Sequence, residues 1–184
     1  RTDFLQQKGD ERYSRTITLP AHRGMITDRY GVPLAISTPV ESVWASPADV
    51  SVNAEQIKQV AVLLEMKPAA LSKKLSNSER EFVYLKRRMP PELAAQVMQL
   101  HIPGIFTQRE YRRFYPAAEM TAHMVGFTGM DDNGQEGIEL AYQNWLSGKT
   151  GSRRVIKDRQ GHIVEDLEAV RVPQDGHDLT LSID

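Results

Sequence analysis

Cysteine is absent from this 184-residue sequence, which excludes disulfides, thiol nucleophiles and cysteine-ligated metals. Long apolar runs are absent as well, since none approaches the ~20 residues of a membrane-spanning helix. Charge of one sign is also missing, because 23 basic and 24 acidic residues leave a formal net charge of −1. A chain with so balanced a charge shows no sign of the basic surface that nucleic acid requires, and we expect no nucleic-acid partner.

What is present is the composition of a globular protein. Apolar residues make up 40% of the chain and charged residues 26%, which suits one domain or a body with a smaller lobe. The chain starts without methionine and stops after a strand-like segment, so we expect it to be a fragment of a longer protein.

The first 47 residues have strand character. Alternating apolar residues predict a strand that ends at Leu19. Asp28 and Gly31 bound a turn between two extended stretches, because glycine suits a left-handed backbone and aspartate accepts bonds from turn amides. The same Asp-Arg-x-Gly sequence recurs at 158–161, either as a second copy of this hairpin or as independent use of a common turn.

After Pro47 the pattern becomes helical. Asn53 with Gln56 three residues later is typical of a capping box at a helix start. Pro68 and Pro91 each suit the first turn of a further helix, and the segment EFVYLKRR between these two helices reads as a strand.

Strand character returns at 105–116 and is followed by two helical segments, one near 120–125 and one after the DDNG turn. The second is expected to turn Ile138, Tyr142 and Trp145 inward. Aromatic side chains in this part of the chain are expected in the core.

Together these patterns predict an α+β fold. A strand-rich body would comprise residues 1–47 and 105–184, and a small helical head lobe over 48–104 would be inserted into it. The order along the chain is therefore strands, helices and strands.

Two glutamates one helical turn apart, Glu136 and Glu139, are the strongest candidates for acid/base chemistry. As a general acid and base they would make the chain a glycan-acting enzyme. At a helix start, however, acidic residues more often interact favourably with the helix dipole or pair with a buried arginine, and we favour that interpretation.

His123 stands in an apolar stretch and is expected to be a hydrogen-bonded core residue. Clustered histidines and calcium-loop spacing are lacking, so the sequence predicts neither a metal nor a cofactor.

One short motif of serine acyl-transfer enzymes does occur, Lys149-Thr150-Gly151. That chemistry also needs a serine followed three residues later by lysine. None of the serines in the chain has a lysine at that position, so we expect this fragment not to be an enzyme. A phosphate-binding loop is excluded too, because Gln143 stands where that motif needs glycine.

Four segments occur in an order that periodicity does not explain. They are RGMITDRYGVPLA at 23–35, RFYPAAEMTAHMVGF at 113–127, GQEGIELAYQNWLSGKTG at 134–151 and KDRQGHIVED at 157–166. In this order they resemble the non-catalytic periplasmic pedestal, or dimerisation domain, of class B penicillin-binding proteins. The likeness is closest to the division-specific peptidoglycan D,D-transpeptidases of Gram-negative bacteria. One departure is Ala118, where the family usually has glycine.

The resemblance implies a non-catalytic module. Lys149 to Gly151 would then belong to the pedestal's Leu-x-Gly-x-x-Gly loop, and the catalytic serine would lie in a transpeptidase domain that follows this chain. The parent would crosslink septal peptidoglycan from the periplasmic side of the inner membrane, held there by a preceding membrane helix. Implied partners are an FtsW-type glycosyltransferase and the divisome proteins FtsQ, FtsL, FtsB and FtsN, with homodimerisation left open. A free-standing periplasmic adaptor remains an alternative.

The same resemblance assigns thirteen signature positions, none of them catalytic and all structural or partner-binding. They are Arg23, Gly24, Asp28, Arg29, Gly31, Arg113, Tyr115, Pro116, His123, Gly126, Glu136, Gly137 and Glu139. Arginines on two strands and glutamates at a helix start suit a charge-paired crosslink. We therefore expect Arg23 and Arg113 to pair with Glu136, Glu139 or both.

Overall fold

A computed structural model describes residues 14–80, 82–157 and 163–184. Strands and helices are mixed along the chain, which confirms the predicted α+β class. The strands are β1 Ser14–Leu19, β2 Ile26–Thr27, β3 Pro33–Ala45, β4 Val83–Met89, β5 Ile105–Phe114, β6 Gly151–Lys157, β7 Ile163–Arg171 and β8 Leu179–Thr180. The helices are α1 Ala54–Leu63, α2 Pro68–Leu75, α3 Pro91–Gln99, α4 Ala118–Val125, α5 Gly137–Ala141 and α6 Gln143–Leu146.

Local sequence signals place the helix starts. Asn53 caps α1 through a capping box, in which its side chain accepts from Gln56 N at 2.8 Å and the Gln56 side chain accepts from Asn53 N at 3.0 Å. Pro68 and Pro91 begin α2 and α3, where a missing amide hydrogen costs nothing. Within the described residues, no helix has the length and apolarity needed to cross a membrane.

The described residues divide into two compact units. The strands β3 and β5 each contribute to both of them. One unit comprises residues 14–17, 40–80, 82–110, 154–157 and 163–168, and the other comprises 18–39, 111–153 and 169–184.

The first unit packs α1, α2 and α3 against strands. β3 pairs antiparallel with β4, with Val43 opposite Lys86 and Trp44 opposite Tyr84. The buried apolar side chains of all three helices form one cluster with those of the strands, a continuous core. Its fully buried members include Val43, Val60, Leu64, Leu71, Met89 and Val97.

The second unit is built around β2. This two-residue strand pairs antiparallel with the start of β3, where Ile26 faces Ala35, and parallel with β8, where Ile26 faces Leu179. A smaller core of Ile26, Leu34, Ala35, Val125 and Leu146 lies here. β1, β6 and β7, each of which has residues in both units, form a three-stranded sheet.

Three sequence-based expectations about exposure are wrong. The helix after the DDNG turn breaks at Tyr142 into α5 and α6, so Tyr142 and Trp145 are about half exposed rather than inward. Phe114 is also exposed, because β5 turns its neighbour Arg113 inward and successive strand residues face opposite sides. His123 is exposed on α4, whose inward residues are Thr121 and Val125.

The predicted turn at Asp28 is confirmed. Asp28 Oδ1 accepts hydrogen bonds from Tyr30 N and Val32 N, each at 2.8 Å, and Gly31 N donates to Asp28 O at 3.1 Å. Gly31 has φ 82°, the left-handed conformation expected from the sequence. The second occurrence of this turn, at 158–161, lies outside the described residues.

We expect Gly31→Ala to lower the free energy of unfolding by about 1 kcal/mol, because a Cβ disfavours a left-handed backbone. No atom lies within 4 Å of the position that the Cβ would occupy, so the cost is conformational and not steric. Gly31→Asn should cost less, since asparagine enters this region more readily. Urea unfolding of the three proteins measures this order, and equal costs for alanine and asparagine would contradict it.

Candidate functional site

The carboxylate of Glu139 lies between two arginine side chains in the second unit. Arg23 Nε donates to Glu139 Oε2 at 2.8 Å, and Arg113 Nε donates to Glu139 Oε1 at 2.7 Å. The three side chains are between 0% and 1% exposed. Each carboxylate oxygen therefore has its own guanidinium partner, and all three charges are removed from water.

The remaining guanidinium nitrogens are also satisfied. Arg23 Nη1 donates to Gln143 Oε1 at 2.8 Å, and Arg23 Nη2 donates to the backbone oxygen of Glu139 at 2.9 Å. Arg113 Nη2 donates to Gly24 O at 2.7 Å, and Arg113 Nη1 donates to Ser37 Oγ at 3.0 Å. Such partners are required because an unpaired charge in the interior is strongly destabilising.

Three distant segments supply this cluster. Arg23 precedes β2, Arg113 lies near the end of β5, and Glu139 is the third residue of α5. The contact between Arg23 and Glu139 spans 116 residues, and that between Arg113 and Glu139 spans 26. The cluster is therefore a crosslink that fixes a loop, a strand and a helix relative to one another.

Tyr115 adds a fourth side chain to the cluster. Its hydroxyl donates to Glu139 Oε1 at 3.3 Å and accepts from Thr128 N at 3.0 Å. Burial, together with the negative charge of Glu139, raises the pKa of Tyr115 to about 12. The phenol therefore stays protonated and donating throughout the physiological range.

Two glycines bring α4 and α5 into direct backbone contact. Gly126 ends α4 with φ 75°, and Gly137 begins α5 with φ 60°. A Cβ on Gly126 would overlap Glu136 O, and one on Gly137 would lie 2.5 Å from Met124 O. Only glycine satisfies both the conformation and the close approach, which explains why the sequence has it at both positions.

Gly24 has a related steric role. A Cβ there would overlap the carbonyl oxygen of His177, in the segment that leads to β8. Gly24 N also donates to Leu146 O at 2.9 Å. Next to the buried Arg23, this backbone is therefore packed directly against two other segments.

The expected pairing of Arg23 and Arg113 with a glutamate is confirmed, and the partner is Glu139. Glu136 is exposed, and within the described residues its side chain makes no ion pair. It stands one position before α5, where its backbone is extended and its side chain makes no capping hydrogen bond. Of the alternatives that the sequence left open, which were Glu136, Glu139 or both, the structure selects Glu139 alone.

The other predicted positions lie outside the cluster. Arg29 is exposed, donates to Ser182 O at 2.5 Å and lies 3.6 Å from an oxygen of Asp184. Pro116 and His123 are exposed. Asp28 and Gly31 form the turn already described.

Sequence reasoning missed Gln143, whose side chain joins the cluster. It accepts from Arg23 and from Gly134 N at 2.8 Å. Its position four residues after Glu139 places both on one side of a helical segment, a signal that was available.

A second arginine-bound carboxylate, in the first unit, was also missed. Glu110 Oε1 accepts from Arg87 Nη2 at 2.9 Å, and Glu110 Oε2 accepts from Ser42 Oγ at 2.5 Å. The Arg87 guanidinium also lies over the Tyr84 ring, 4.6 Å from its centroid. Glu110 is partly buried, in contrast to the fully buried Glu139, and both carboxylates bind arginine.

Known proteins are similar in sequence to this chain over nearly its whole length. Residues 18–181 match the family described as Penicillin-binding Protein dimerisation domain. Over 189 residues the chain is 41% identical to the peptidoglycan D,D-transpeptidase FtsI of Escherichia coli strain K12, covering 99% of this chain and 32% of that protein. It is 39% identical over 186 residues to a protein of Neisseria gonorrhoeae described as "Probable peptidoglycan D,D-transpeptidase PenA", with the same coverage.

A solved structure shares the fold. The complex between Penicillin-Binding Protein (PBP2) and MreC from Helicobacter pylori contains a chain that matches with a TM-score of 0.62 and 22% identity. The match covers 93% of this chain and 36% of that one. The chain spans about a third of the length of the curated relatives it matches.

We expect Glu139→Ala to lower the free energy of unfolding by about 3 to 5 kcal/mol, because it leaves two buried guanidiniums without their anion. Glu136→Ala is the matched control, an exposed glutamate three residues earlier, and should change it by no more than about 0.5 kcal/mol. Urea unfolding measures both. Similar effects for the two variants would show that burial of Glu139 does not determine the stability of the cluster.

We expect double-mutant cycles to show coupling above about 1 kcal/mol between Glu139 and each of Arg23 and Arg113. The reason is that each arginine has its own carboxylate oxygen. Cycles that pair each arginine with Glu136 provide the reference and should give values near zero. Coupling through Glu136 instead would contradict the geometry.

We expect the stability contribution of Tyr115 to decrease between pH 10 and pH 12. Its pKa is raised from 10.0 to about 12 on folding, so in this window the unfolded state loses the proton that the folded state retains. Stability is therefore complete below the unfolded pKa and falls as pH rises through the folded one. Urea unfolding of Tyr115→Phe should show a shallower decrease than the wild type. Tyr30→Phe, which removes an exposed phenol, serves as the control, and an unchanged slope in Tyr115→Phe would refute this expectation.

Proposed function

The chain belongs to the penicillin-binding protein dimerisation-domain family, and we propose that it is the non-catalytic pedestal of a class B penicillin-binding protein. In this role it positions a transpeptidase domain and presents surfaces to partner proteins. The family match over residues 18–181 and the 41% identity to FtsI support this proposal.

The buried Arg23–Glu139–Arg113 cluster is the observation that carries the proposal. A carboxylate with 0% exposure and a guanidinium on each oxygen has no surface to offer a substrate. Glu139 cannot then act with Glu136 as a general acid and base, because such groups must reach the reacting atom. The arrangement instead resists relative movement of three segments, which is what a spacer between a membrane and an enzyme domain requires.

The parent protein is proposed to be a serine-type D,D-transpeptidase that crosslinks septal peptidoglycan. The relatives described as peptidoglycan D,D-transpeptidases support this activity. Within this chain the Lys149-Thr150-Gly151 sequence belongs to backbone pairing, since Lys149 N donates to Gln174 O at 2.7 Å and Gln174 N donates to Lys149 O at 2.8 Å. Together with the lack of a Ser-x-x-Lys sequence, this supports a pedestal without an active site.

Partners and location are proposed on the same basis. We propose that the parent lies on the periplasmic side of the inner membrane and works with an FtsW-type glycosyltransferase and with FtsQ, FtsL, FtsB and FtsN. The neighbouring structure of PBP2 with MreC supports the general idea that such proteins bind partners. An adaptor that binds partners without a transpeptidase domain is the second candidate.

We also propose that residues 48–104 form the head lobe and that 1–47 and 105–184 form the pedestal body. The three helices α1, α2 and α3 all lie within the proposed head and share one apolar cluster. The Glu139 cluster lies wholly within the proposed body.

The proposal is tested by placing this chain in the matching segment of full-length Escherichia coli FtsI. A fluorescent penicillin should label the chimera and leave the isolated chain unlabelled. Covalent label on the isolated chain would disprove the assignment as a non-catalytic module.

Complementation then separates a pedestal from an adaptor. The chimera should support septation in cells depleted of their own FtsI, whereas Glu139→Ala in the chimera should abolish septation and Glu136→Ala should not. A chimera that is folded and labelled but never supports septation would favour the adaptor.

A further inference from the structure

The exposed face of α4 carries three metal-ligating side chains. Met120 is 89% exposed, Met124 is 38% exposed and His123 between them is also exposed. All three stand within one helix, Ala118–Val125. This face takes no part in the Glu139 cluster or in the core of its unit.

The packing of α4 explains why these residues face outward. Val125 is 1% exposed and belongs to the apolar core, and Thr121, one turn earlier, donates through Oγ1 to Ala117 O at 2.9 Å. These two residues define the inner face. At 3.6 residues per turn, Met120, His123 and Met124 occupy an arc of roughly 100° on the outer side.

Met120 has the spacing to share one ion with either of the other two residues. It stands three residues before His123 and four before Met124, and residues so spaced on a helix have Cβ atoms about 5 to 6 Å apart, the spacing by which two histidines of a helix share one metal. His123 and Met124 are adjacent and diverge at their Cβ atoms, so the third contact depends on the length and flexibility of the methionine side chain, which has three rotatable bonds and a polarizable sulfur.

We propose that Met120, His123 and Met124 form a binding site for a soft monovalent metal ion, Cu(I) or its analogue Ag(I). Thioether ligands select Cu(I) over Zn(II) and over the hard cations Mg(II) and Ca(II), which prefer oxygen. A trigonal set of two sulfurs and one nitrogen supplies no charge, so a monovalent ion binds with a smaller loss of hydration than a divalent one.

The composition of this face favours a metal over general apolar contact. Histidine between the methionines adds little to apolar contact, whereas its imidazole nitrogen can supply a third ligand to a soft metal. Groups of three or more histidine, aspartate or glutamate side chains suited to a metal are not found in the described residues, so this site depends on its thioethers. The proposed site departs from the sequence-based expectation of no metal, which considered cysteines, histidine clusters and calcium loops but not methionine.

Titration of the whole 184-residue chain with silver nitrate in chloride-free buffer tests the proposal. Ag(I) is diamagnetic, so nuclear magnetic resonance can follow the methyl groups of all seven methionines. The methyl signals of Met120 and Met124 and the ring signals of His123 should shift together and saturate at one equivalent. Cu(I) under reductant, competed against a chromogenic Cu(I) chelator, should give the same stoichiometry.

Conservative variants separate ligation from packing. Met120→Leu, Met124→Leu and His123→Gln should each weaken Ag(I) binding by at least the ~10- to 100-fold that loss of a supporting contact costs a metal site. Leucine retains the volume and apolarity of methionine, so the fold should be preserved. Matched controls are Met66→Leu, in the first unit, and His177→Gln, another exposed histidine, and both should bind as the wild type does.

Three results would overturn the proposal. One is the absence of saturable Ag(I) binding, and another is equal binding by all five variants. The third is Ag(I) binding that depends on His123 alone and is unchanged by the two leucine substitutions, which would identify an ordinary surface histidine. None of these results bears on the pedestal assignment, which penicillin labelling tests separately.

Discussion

One buried carboxylate determines the arrangement of the second unit. Glu139 accepts from Arg23 on one oxygen and from Arg113 on the other, with all three side chains removed from solvent. Two guanidiniums and one carboxylate carry a net positive charge, and backbone oxygens of Gly24, Asp132 and Glu139 face the remaining N–H groups. Moving any one of the three segments would leave a buried charge without its partner, so they can be rearranged only together.

Glycine contacts determine where that carboxylate is placed. The backbone of Gly126 meets that of Gly137 at the junction of α4 and α5, and Glu139 follows two residues later. A side chain at either glycine would separate the two helices and displace the carboxylate from both arginines. The two glycines and the charged residues, although chemically unlike, therefore stabilise the same arrangement, in which Glu139 lies between the two arginines.

Much of the fold was predictable because its signals are local. The Asn53 capping box, the prolines at helix starts and the Asp28 turn each depend on residues within four positions of one another. Which of Glu136 and Glu139 binds the arginines could not be predicted from local signals. It depends on where α5 begins, and the contact of Gly137 with Gly126 sets that position. The exposure of His123 could not be predicted from the sequence, because apolar residues lie on both the inner and the outer faces of α4, Val125 on the inner face and Met120 on the outer.

The separation of 116 residues between Arg23 and Glu139 has a consequence for synthesis. A chain made from its N-terminus presents Arg23 116 residues and Arg113 26 residues before their shared anion, so neither buried ion pair can form while residue 139 is still within the ribosome. α5 is five residues long, too short to persist by itself, and awaits the same contact. The cluster of Arg23, Arg113 and Glu139 can therefore form only after residue 139 has left the ribosome, when most of this sequence has been made.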